Sequence, residues 1–219
     1  IVKPATPTAF LTEAMVRLIV DSGILPDGAL QLICGGVGDL FDHLDGQDSV
    51  GFTGSATTAA LLRTHPGLVD RSVRFNAEAD SLNAALLGPS AKPGTPEFGL
   101  FVAEVVREMT VKAGQKCTAI RRALVPRSHL ETATEALASA LAEVRVGDPS
   151  DPDTDMGALV GTVQRDEVRA AIADLCTATN VVVDTCTFHD VDPAIGAFLA
   201  PTLLRASDPE AGPIHDVEA

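Results

Sequence analysis

The sequence predicts an α/β fold whose parallel strands are covered by helices on both faces. Several segments carry apolar residues at three- and four-residue steps, which is typical of amphipathic helices. Short apolar or alternating runs lie between these segments, which is typical of strands. Strands and helices that alternate at such short intervals indicate a parallel sheet, because a parallel connection needs a crossover long enough to hold a helix.

The first part of the chain opens on residues 1–4, which read as the end of a strand. Residues 8–22 follow as an amphipathic helix, and Gly23 and Pro26 supply its stop. The further predicted elements are an apolar strand at 30–34, a weak helix near 40–44, a strand at 49–53, a helix from Ser55 to about His65 and a strand at 72–76. From residue 8 onward the predicted order is helix, strand, helix, strand, helix, strand.

A segment rich in Pro, Gly and Ser at 90–96 predicts a domain boundary, which gives units 1–96 and 97–219. The second unit is again α/β. Its predicted elements are a helix at 98–110, a strand at 119–125, helices at 128–141 and 162–175 and a strand at 181–183. Residues 146–156 contain Gly, Asp and Pro in succession, which predicts an irregular surface connection.

The amino-acid composition disfavours several classes of binding partner. The chain of 219 residues carries 30 acidic and 16 basic residues, a net charge of −14, which disfavours nucleic acid and anionic membrane surfaces. The four cysteines form no Cys-x-x-Cys pair and the five histidines show no ligand spacing, so no metal site is predicted. No apolar stretch reaches the length of a membrane span and no signal peptide is visible, which favours a reducing cytoplasm.

Residues 52–55, Phe-Thr-Gly-Ser, lie where an apolar strand meets a helix. Gly54 allows a close approach to the backbone, and Ser55 can cap the helix while offering its hydroxyl to an anion. A cofactor pyrophosphate would suit such a position. The alternative is an ordinary strand-to-helix turn with a serine cap, which the four residues taken alone favour.

Cys117 and Glu78 are candidate catalytic residues. Cys117 lies in a connection between a helix and a strand, with four cations within five residues that could lower the pKa of its thiol: Lys112, Lys116, Arg121 and Arg122. Inert packing of the cysteine is the alternative. Glu78 follows a predicted strand, at the edge where a parallel sheet presents functional groups, although an isolated glutamate is commonly a solvated surface charge.

Taken together, nine short motifs resemble, in order and spacing, the landmarks of the aldehyde dehydrogenase superfamily. They are Ile1-Val2-Lys3-Pro4-Ala5, Phe52-Thr53-Gly54-Ser55, Glu78, Gly114-Gln115-Lys116-Cys117, Arg122, Gly147-Asp148-Pro149, Met156-Gly157, Pro201-Thr202 and Glu218. Within that superfamily, residues 76–83 and 109–122 resemble the bacterial enzymes that oxidise CoA-linked semialdehydes in phenylacetyl-CoA (phenylacetic acid) or benzoyl-CoA degradation.

The resemblance implies an aldehyde dehydrogenase fold, with a Rossmann-like cofactor domain whose C-terminal part is 1–96 and an α/β catalytic domain at 97–219. It implies an oxidoreductase that converts an aldehyde, here a CoA thioester semialdehyde, to the acid with NAD(P). Cys117 would be the nucleophile and Glu78 the general base. Lys3 would hold the adenosine ribose, Gly54 and Ser55 the pyrophosphate, and Glu218 the nicotinamide ribose. Relatives are dimers or tetramers, so a homo-oligomer is expected.

Three departures from the family pattern bear on the site. The usual Glu-Leu-Gly-Gly-Lys is replaced by residues 78–82, Glu-Ala-Asp-Ser-Leu, so the base remains while its loop changes. Ala59 stands where relatives usually have glycine, which alters the cofactor's approach over that helix. Thr6 stands where many NAD-preferring relatives have a glutamate that would repel a 2′-phosphate, and Lys3 is close by to pair with one. NADP is therefore expected in preference to NAD, which stays possible.

The chain is expected to be a fragment. The resemblance implies an asparagine before Ile1 that helps to stabilise the oxyanion and an oligomerisation segment after Ala219, so the isolated 219 residues are expected to be inactive. Two alternatives stay open. A CoA-acylating dehydrogenase would transfer the acyl group to CoA and would not need Glu78, and a degenerate nucleotide-binding module would have no catalysis at all.

Overall fold

The computed structural model describes residues 1–217 and divides into two compact units, Ile1–Asp80 and the chain from Ser81 onward. This division falls before the boundary predicted near residue 96. The reason is that residues 81–96 join the second unit: a strand at Asn83–Leu86 pairs with Ile120–Leu124, and Ala91 packs in the same core cluster as Phe98. The cofactor and catalytic roles assigned to the two parts stay predictions.

The first unit is built around one parallel pair of strands. Its elements are α1 (Ala9–Asp21), β1 (Ser49–Gly54), α2 (Ala56–Arg63), α3 (Pro66–Val69) and β2 (Arg74–Ala79), with 3₁₀ turns at Thr6–Thr8 and Leu40–His43. β1 and β2 run parallel with Thr53 opposite Glu78 and Gly54 opposite Ala79. The crossover between them is helical, as the predicted α/β pattern requires.

The second unit contains three strand pairs and its own core. Its elements are β3 (Asn83–Leu86), α4 (Pro96–Thr110), β4 (Ile120–Leu124), α5 (Leu130–Ala142), β5 (Arg145–Gly147), α6 (Thr162–Leu175), β6 (Thr179–Val183), β7 (Thr187–His189), β8 (Leu203–Ala206) and α7 (Gly212–Asp216). The pairs β3–β4 and β5–β7 are parallel, whereas β6–β8 is antiparallel. Helix α4 buries Phe98, Phe101 and Val105 against Leu87 and Leu137.

Long elements match their predicted bounds closely, as do the short strands β1 and β4, whereas other short elements differ. Residues 162–175 form α6 as predicted, and α1, α2, α4 and α5 lie within two residues of most predicted ends. Residues 30–34 were predicted as a strand, but they hold a single parallel bridge, Val2 to Leu32. The strand predicted at 72–76 is shifted and runs to Ala79, while Arg145–Gly147 forms β5 across the start of the predicted irregular connection.

In the part of the chain that the structure describes, no helix is long and apolar enough to cross a membrane. The same residues hold no group of three or more His, Cys, Asp or Glu side chains arranged to bind a metal ion.

Candidate active site

Cys117 lies in the short connection between α4 and β4, and its side chain is exposed. A 3₁₀ turn, Val111–Gly114, precedes it and carries left-handed backbone angles at Lys112 (φ 55°), Ala113 (φ 53°) and Gly114 (φ 70°). Glycine adopts this region freely, whereas each of the other two residues costs about 1–3 kcal/mol of strain. A strained turn of this kind persists where surrounding contacts hold it, and such contacts are present.

A buried ion pair holds Lys116, the residue before Cys117, in place. Glu108 on α4 is 8% exposed, and its Oε2 lies 2.7 Å from Lys116 Nζ, while its Oε1 lies 2.9 Å from Arg107. The close ammonium of Lys116 lowers the pKa of the Glu108 carboxyl, burial opposes that shift, and the positive charge of Arg107 adds to it. Two positively charged partners therefore keep this carboxylate ionised inside the unit.

Further hydrogen bonds secure the turn on both sides. Arg121 donates to the carbonyl of Gly114 at 3.0 Å, and Gln115 Oε1 accepts from the main-chain N–H of Val160 at 2.9 Å. Gln115 Nε2 also donates to the carbonyl of Lys112 at 2.9 Å. Residues on either side of Cys117 are thus connected to α4, to β4 and to the segment before α6.

Three of the four cations expected to act on Cys117 have other partners. Lys116 forms an ion pair with Glu108, and Arg121 donates a hydrogen bond to the Gly114 carbonyl. Arg122 donates to the carbonyls of Ile214 at 2.6 Å and Val217 at 2.9 Å. Arg122 therefore ties the C-terminal segment around α7 to β4, and Glu218, a predicted cofactor ligand, lies just outside the described residues.

Two side chains that sequence reasoning gave no role hold the carbonyl of Cys117. Ser81 Oγ and Asn83 Nδ2 each donate to it at 2.5 Å, and Asn83 Nδ2 also donates to the carbonyl of Ala119 at 3.3 Å. The sequence shows only that residues 80–82 differ from the family's usual loop. Nothing local in those residues indicates that their partner is Cys117.

Glu78 lies within β2, close to its carboxyl end, and its side chain is exposed. The parallel register places it opposite Thr53, the residue before Gly54 and Ser55. Because parallel strands end at the same edge, the first unit brings three predicted site residues, Gly54, Ser55 and Glu78, to one edge.

The N-terminus of α2 has acceptors for its first N–H groups. Ser55 caps the helix as predicted, since its Oγ accepts from the N–H of Thr58 at 3.2 Å. The carboxylate of Asp80 accepts from the N–H of Ala56 at 3.0 Å. Asp80 has a left-handed φ of 51° and occupies a position where the family usually has glycine. A negative charge therefore already lies beside the predicted pyrophosphate position.

The backbone at Gly54 lies against the end of the Phe52 ring. A Cβ at this position would lie 2.6 Å from Cζ of Phe52, so the ring would have to move. The close contact gives a packing reason for glycine here, in addition to the predicted approach of a cofactor.

Lys3 and Thr6, the two predicted determinants of the cofactor's ribose end, are both exposed. Val2 is bridged to Leu32, which fixes the start of the chain, and Lys3 Nζ donates to the carbonyl of Pro4 at 3.1 Å. Thr6 begins the 3₁₀ turn that leads into α1. Both side chains are free of packing constraints that would prevent contact with a ligand.

The fold and these landmarks define a class of protein. The family model of the aldehyde dehydrogenase family matches residues 1–216. The chain therefore belongs to the aldehyde dehydrogenase family.

The chain is similar to curated proteins along nearly its whole length. The 3,4-dehydroadipyl-CoA semialdehyde dehydrogenase of Aromatoleum evansii is 50% identical over 99% of this chain, which spans 43% of that protein. The Escherichia coli bifunctional protein PutA is 27% identical over 94% of this chain and 16% of its own length. The chain thus spans less than half of the curated relatives it matches.

Solved structures agree on the fold. A betaine aldehyde dehydrogenase from Staphylococcus aureus, in complex with NAD+ and with a cysteine modified by BME, has a TM-score of 0.81 at 24% identity. The match covers 97% of this chain and 42% of that chain, and it shows the fold alone. The predicted aldehyde dehydrogenase fold is confirmed.

Proposed function

We propose that this chain is part of an NADP-preferring aldehyde dehydrogenase that oxidises a CoA-linked semialdehyde to its carboxylic acid. The observation that carries the proposal is the 50% identity, along nearly the whole chain, to a 3,4-dehydroadipyl-CoA semialdehyde dehydrogenase. A substrate of that class, an aliphatic aldehyde attached to a CoA thioester, is the small-molecule partner proposed. We also propose that the full-length protein is a cytoplasmic homo-oligomer.

In this proposal Cys117 is the nucleophile and Glu78 is the general base. The Cys117 thiolate attacks the aldehyde carbon and forms a thiohemiacetal anion, and loss of hydride from that carbon leaves a thioester. A water molecule then gives a proton to Glu78 and adds to the thioester carbon, which releases the acid and the Cys117 thiolate. When bound, the nicotinamide cofactor supplies the hydride acceptor. Exposure of both side chains fits a role in contact with substrate or water.

The residues of the first unit fit a dinucleotide in part. Gly54 lets the backbone approach closely, and the positive end of the α2 dipole suits a pyrophosphate, although Asp80 and Ser55 already accept from the N–H groups of Ala56 and Thr58. Lys3 would hold the adenosine ribose and pair with a 2′-phosphate, and Thr6 leaves room for it. Ser55 would contact the pyrophosphate, although its hydroxyl already bonds Thr58, and Glu218 would hold the nicotinamide ribose.

The test uses the full-length protein with 3,4-dehydroadipyl-CoA semialdehyde, following reduced-cofactor formation with NADP and with NAD. Cys117→Ala should lower the rate by at least roughly 10³-fold. Cys34→Ala, which removes another exposed thiol, is the matched control and should leave the rate unchanged. If wild type and Cys117→Ala are equally silent, the chain is a degenerate nucleotide-binding module and the proposal is wrong.

The role of Glu78 has its own test. Glu78→Gln should still give a first burst of reduced cofactor, about one equivalent per active site, because acylation of Cys117 does not need the base. Steady turnover should then be lost, since the thioester is no longer hydrolysed. Steady release of acyl-CoA instead of free acid by the wild type, on addition of CoA, would identify the CoA-acylating alternative.

A further inference from the structure

We propose that Ser81 and Asn83 are positioning residues that orient Cys117 for attack on the aldehyde. The proposal rests on the proposed role of Cys117 as nucleophile. It begins from one geometric fact: two side-chain donors converge on the main-chain carbonyl of the cysteine, each at 2.5 Å. We call the pair Ser81 and Asn83 the carbonyl clamp.

The clamp takes up the hydrogen-bonding capacity of this carbonyl. A carbonyl oxygen has two lone pairs, and the two donors match that number. β4 begins at Ile120, so Cys117 precedes the strand, and within residues 1–217 no main-chain N–H outside regular elements donates to its carbonyl. Side chains therefore do what a neighbouring strand would otherwise do.

The two donors are themselves held together and connected to the sheet. Asn83 Nδ2 donates to Ser81 Oγ at 2.6 Å and reaches the carbonyl of Ala119 at 3.3 Å. Asn83 is also the first residue of β3 and pairs with Ile120 at the start of β4, where the register is irregular. The clamp thus fixes the cysteine relative to the rigid strand pair β3–β4, although the cysteine lies in an exposed connection.

Fixing this carbonyl restricts the direction of the side chain. The carbonyl carbon is bonded directly to the Cα of Cys117, so a backbone shift that displaces this Cα and turns its Cα–Cβ bond would also displace the carbonyl and strain both hydrogen bonds. A reacting atom misplaced by about 1 Å can lose roughly 100-fold in rate, so a modest constraint on the backbone has a large effect on the chemical step.

Ser81 lies in the loop that departs from the usual family pattern. The family's usual loop has a second glycine at this position, which offers no hydroxyl, whereas residues 80–82 here are Asp-Ser-Leu. The altered loop therefore supplies Ser81, one of the two donors to the Cys117 carbonyl. This connects the altered sequence after the base with the placement of the nucleophile.

The test compares Ser81→Ala, Asn83→Ala and Ser81→Thr in the full-length protein, with 3,4-dehydroadipyl-CoA semialdehyde and NADP in rapid mixing. We expect the first-turnover rate constant to fall roughly 10-fold for Ser81→Ala and up to roughly 100-fold for Asn83→Ala, with KM for the aldehyde changed less than about twofold. Ser81→Thr keeps the hydroxyl and should recover most of the rate. Ser139→Ala, on the exposed face of α5, is the matched control and should match wild type.

The outcomes separate the clamp from the proposed function. First-turnover rates equal to wild type in both alanine variants, while Cys117→Ala is inactive, would overturn the clamp and leave the function intact. Equal losses of first-turnover rate in Ser81→Ala and Ser81→Thr would also overturn the clamp, because the Ser81 hydroxyl would then not be what positions Cys117. If Ser81→Ala does not fold, Asn83→Ala carries the same test, since it leaves the bond from Ser81 in place.

Discussion

The carboxylate of Glu108 and the ammonium of Lys116 lie 2.7 Å apart, and this pair fastens the residue that directly precedes Cys117. Glu108 is nearly inaccessible to solvent, and Arg107 is its second positively charged partner. A left-handed turn with two strained non-glycine residues lies between the members of the pair. The ion pair is therefore one of the contacts that keep that turn in place.

Replacing Glu108 should make the free energy of unfolding depend less on pH in the acidic range. The folded state lowers the pKa of this carboxyl below its ordinary value of 4.5, so its stabilising effect is fully present above that value. The effect is lost as pH falls through the lower folded pKa. Glu108→Gln should accordingly reduce the free energy of unfolding near neutral pH, and the gap to wild type should close as the solution is acidified below about pH 4.5.

Urea unfolding at a series of pH values measures that gap. Glu135→Gln, on an exposed face of α5, removes the same charge without a comparable ion pair and serves as control. A gap for Glu108→Gln that is constant with pH would mean that the ionised carboxylate contributes nothing to folding.

Asp80→Asn should strengthen cofactor binding while weakening the fold slightly. The asparagine oxygen can still accept from the N–H of Ala56, so the substitution removes mainly the charge at the α2 N-terminus. Loss of a negative charge there costs about 0.3–1 kcal/mol of stability. Reduced repulsion of a pyrophosphate should lower the Kd of NADP several-fold, which calorimetric titration of the full-length protein measures. Asp27→Asn, exposed in the first unit, is the control, and equal Kd values in both variants would contradict the expectation.

Thr6→Glu should reverse the cofactor preference. A carboxylate at this exposed position would repel the 2′-phosphate, so the Kd of NADP should rise roughly tenfold or more, while that of NAD should change little. Thr132→Glu adds the same charge on the exposed side of α5 and should alter neither value. If Thr6→Glu raises the Kd of NADP and of NAD equally, residue 6 does not distinguish the cofactors by their 2′-phosphate.

Leu141→Ala should destabilise the second unit strongly. Leu141 is fully buried in a cluster with Val144, Val146 and Met156, so truncation leaves a cavity and costs about 2–5 kcal/mol. Leu100→Ala removes the same atoms from an exposed helix position and should cost less than about 0.5 kcal/mol. Urea unfolding of the two variants gives the comparison, and similar losses in both would contradict this account of the core.

Sequence alone determined the features that depend on local pattern. Helices such as α6 were predicted to the residue because their periodicity extends over several turns, and the serine cap of α2 depends on residues three positions apart. The order of short motifs also predicted the family and its fold. The assignment of Cys117, Glu78 and the cofactor residues comes from the same motifs and stays a prediction.

Tertiary structure decided the features that depend on residues distant in the sequence. The short strands β5 and β7 have little periodicity of their own and exist because they pair with each other. The two donors to the Cys117 carbonyl, the capping of α2 by Asp80 and the split of the chain after Asp80 likewise depend on segments brought together by folding. A hydrogen bond or a strand pair between distant segments leaves no local pattern, because its partner is defined only once the chain has folded.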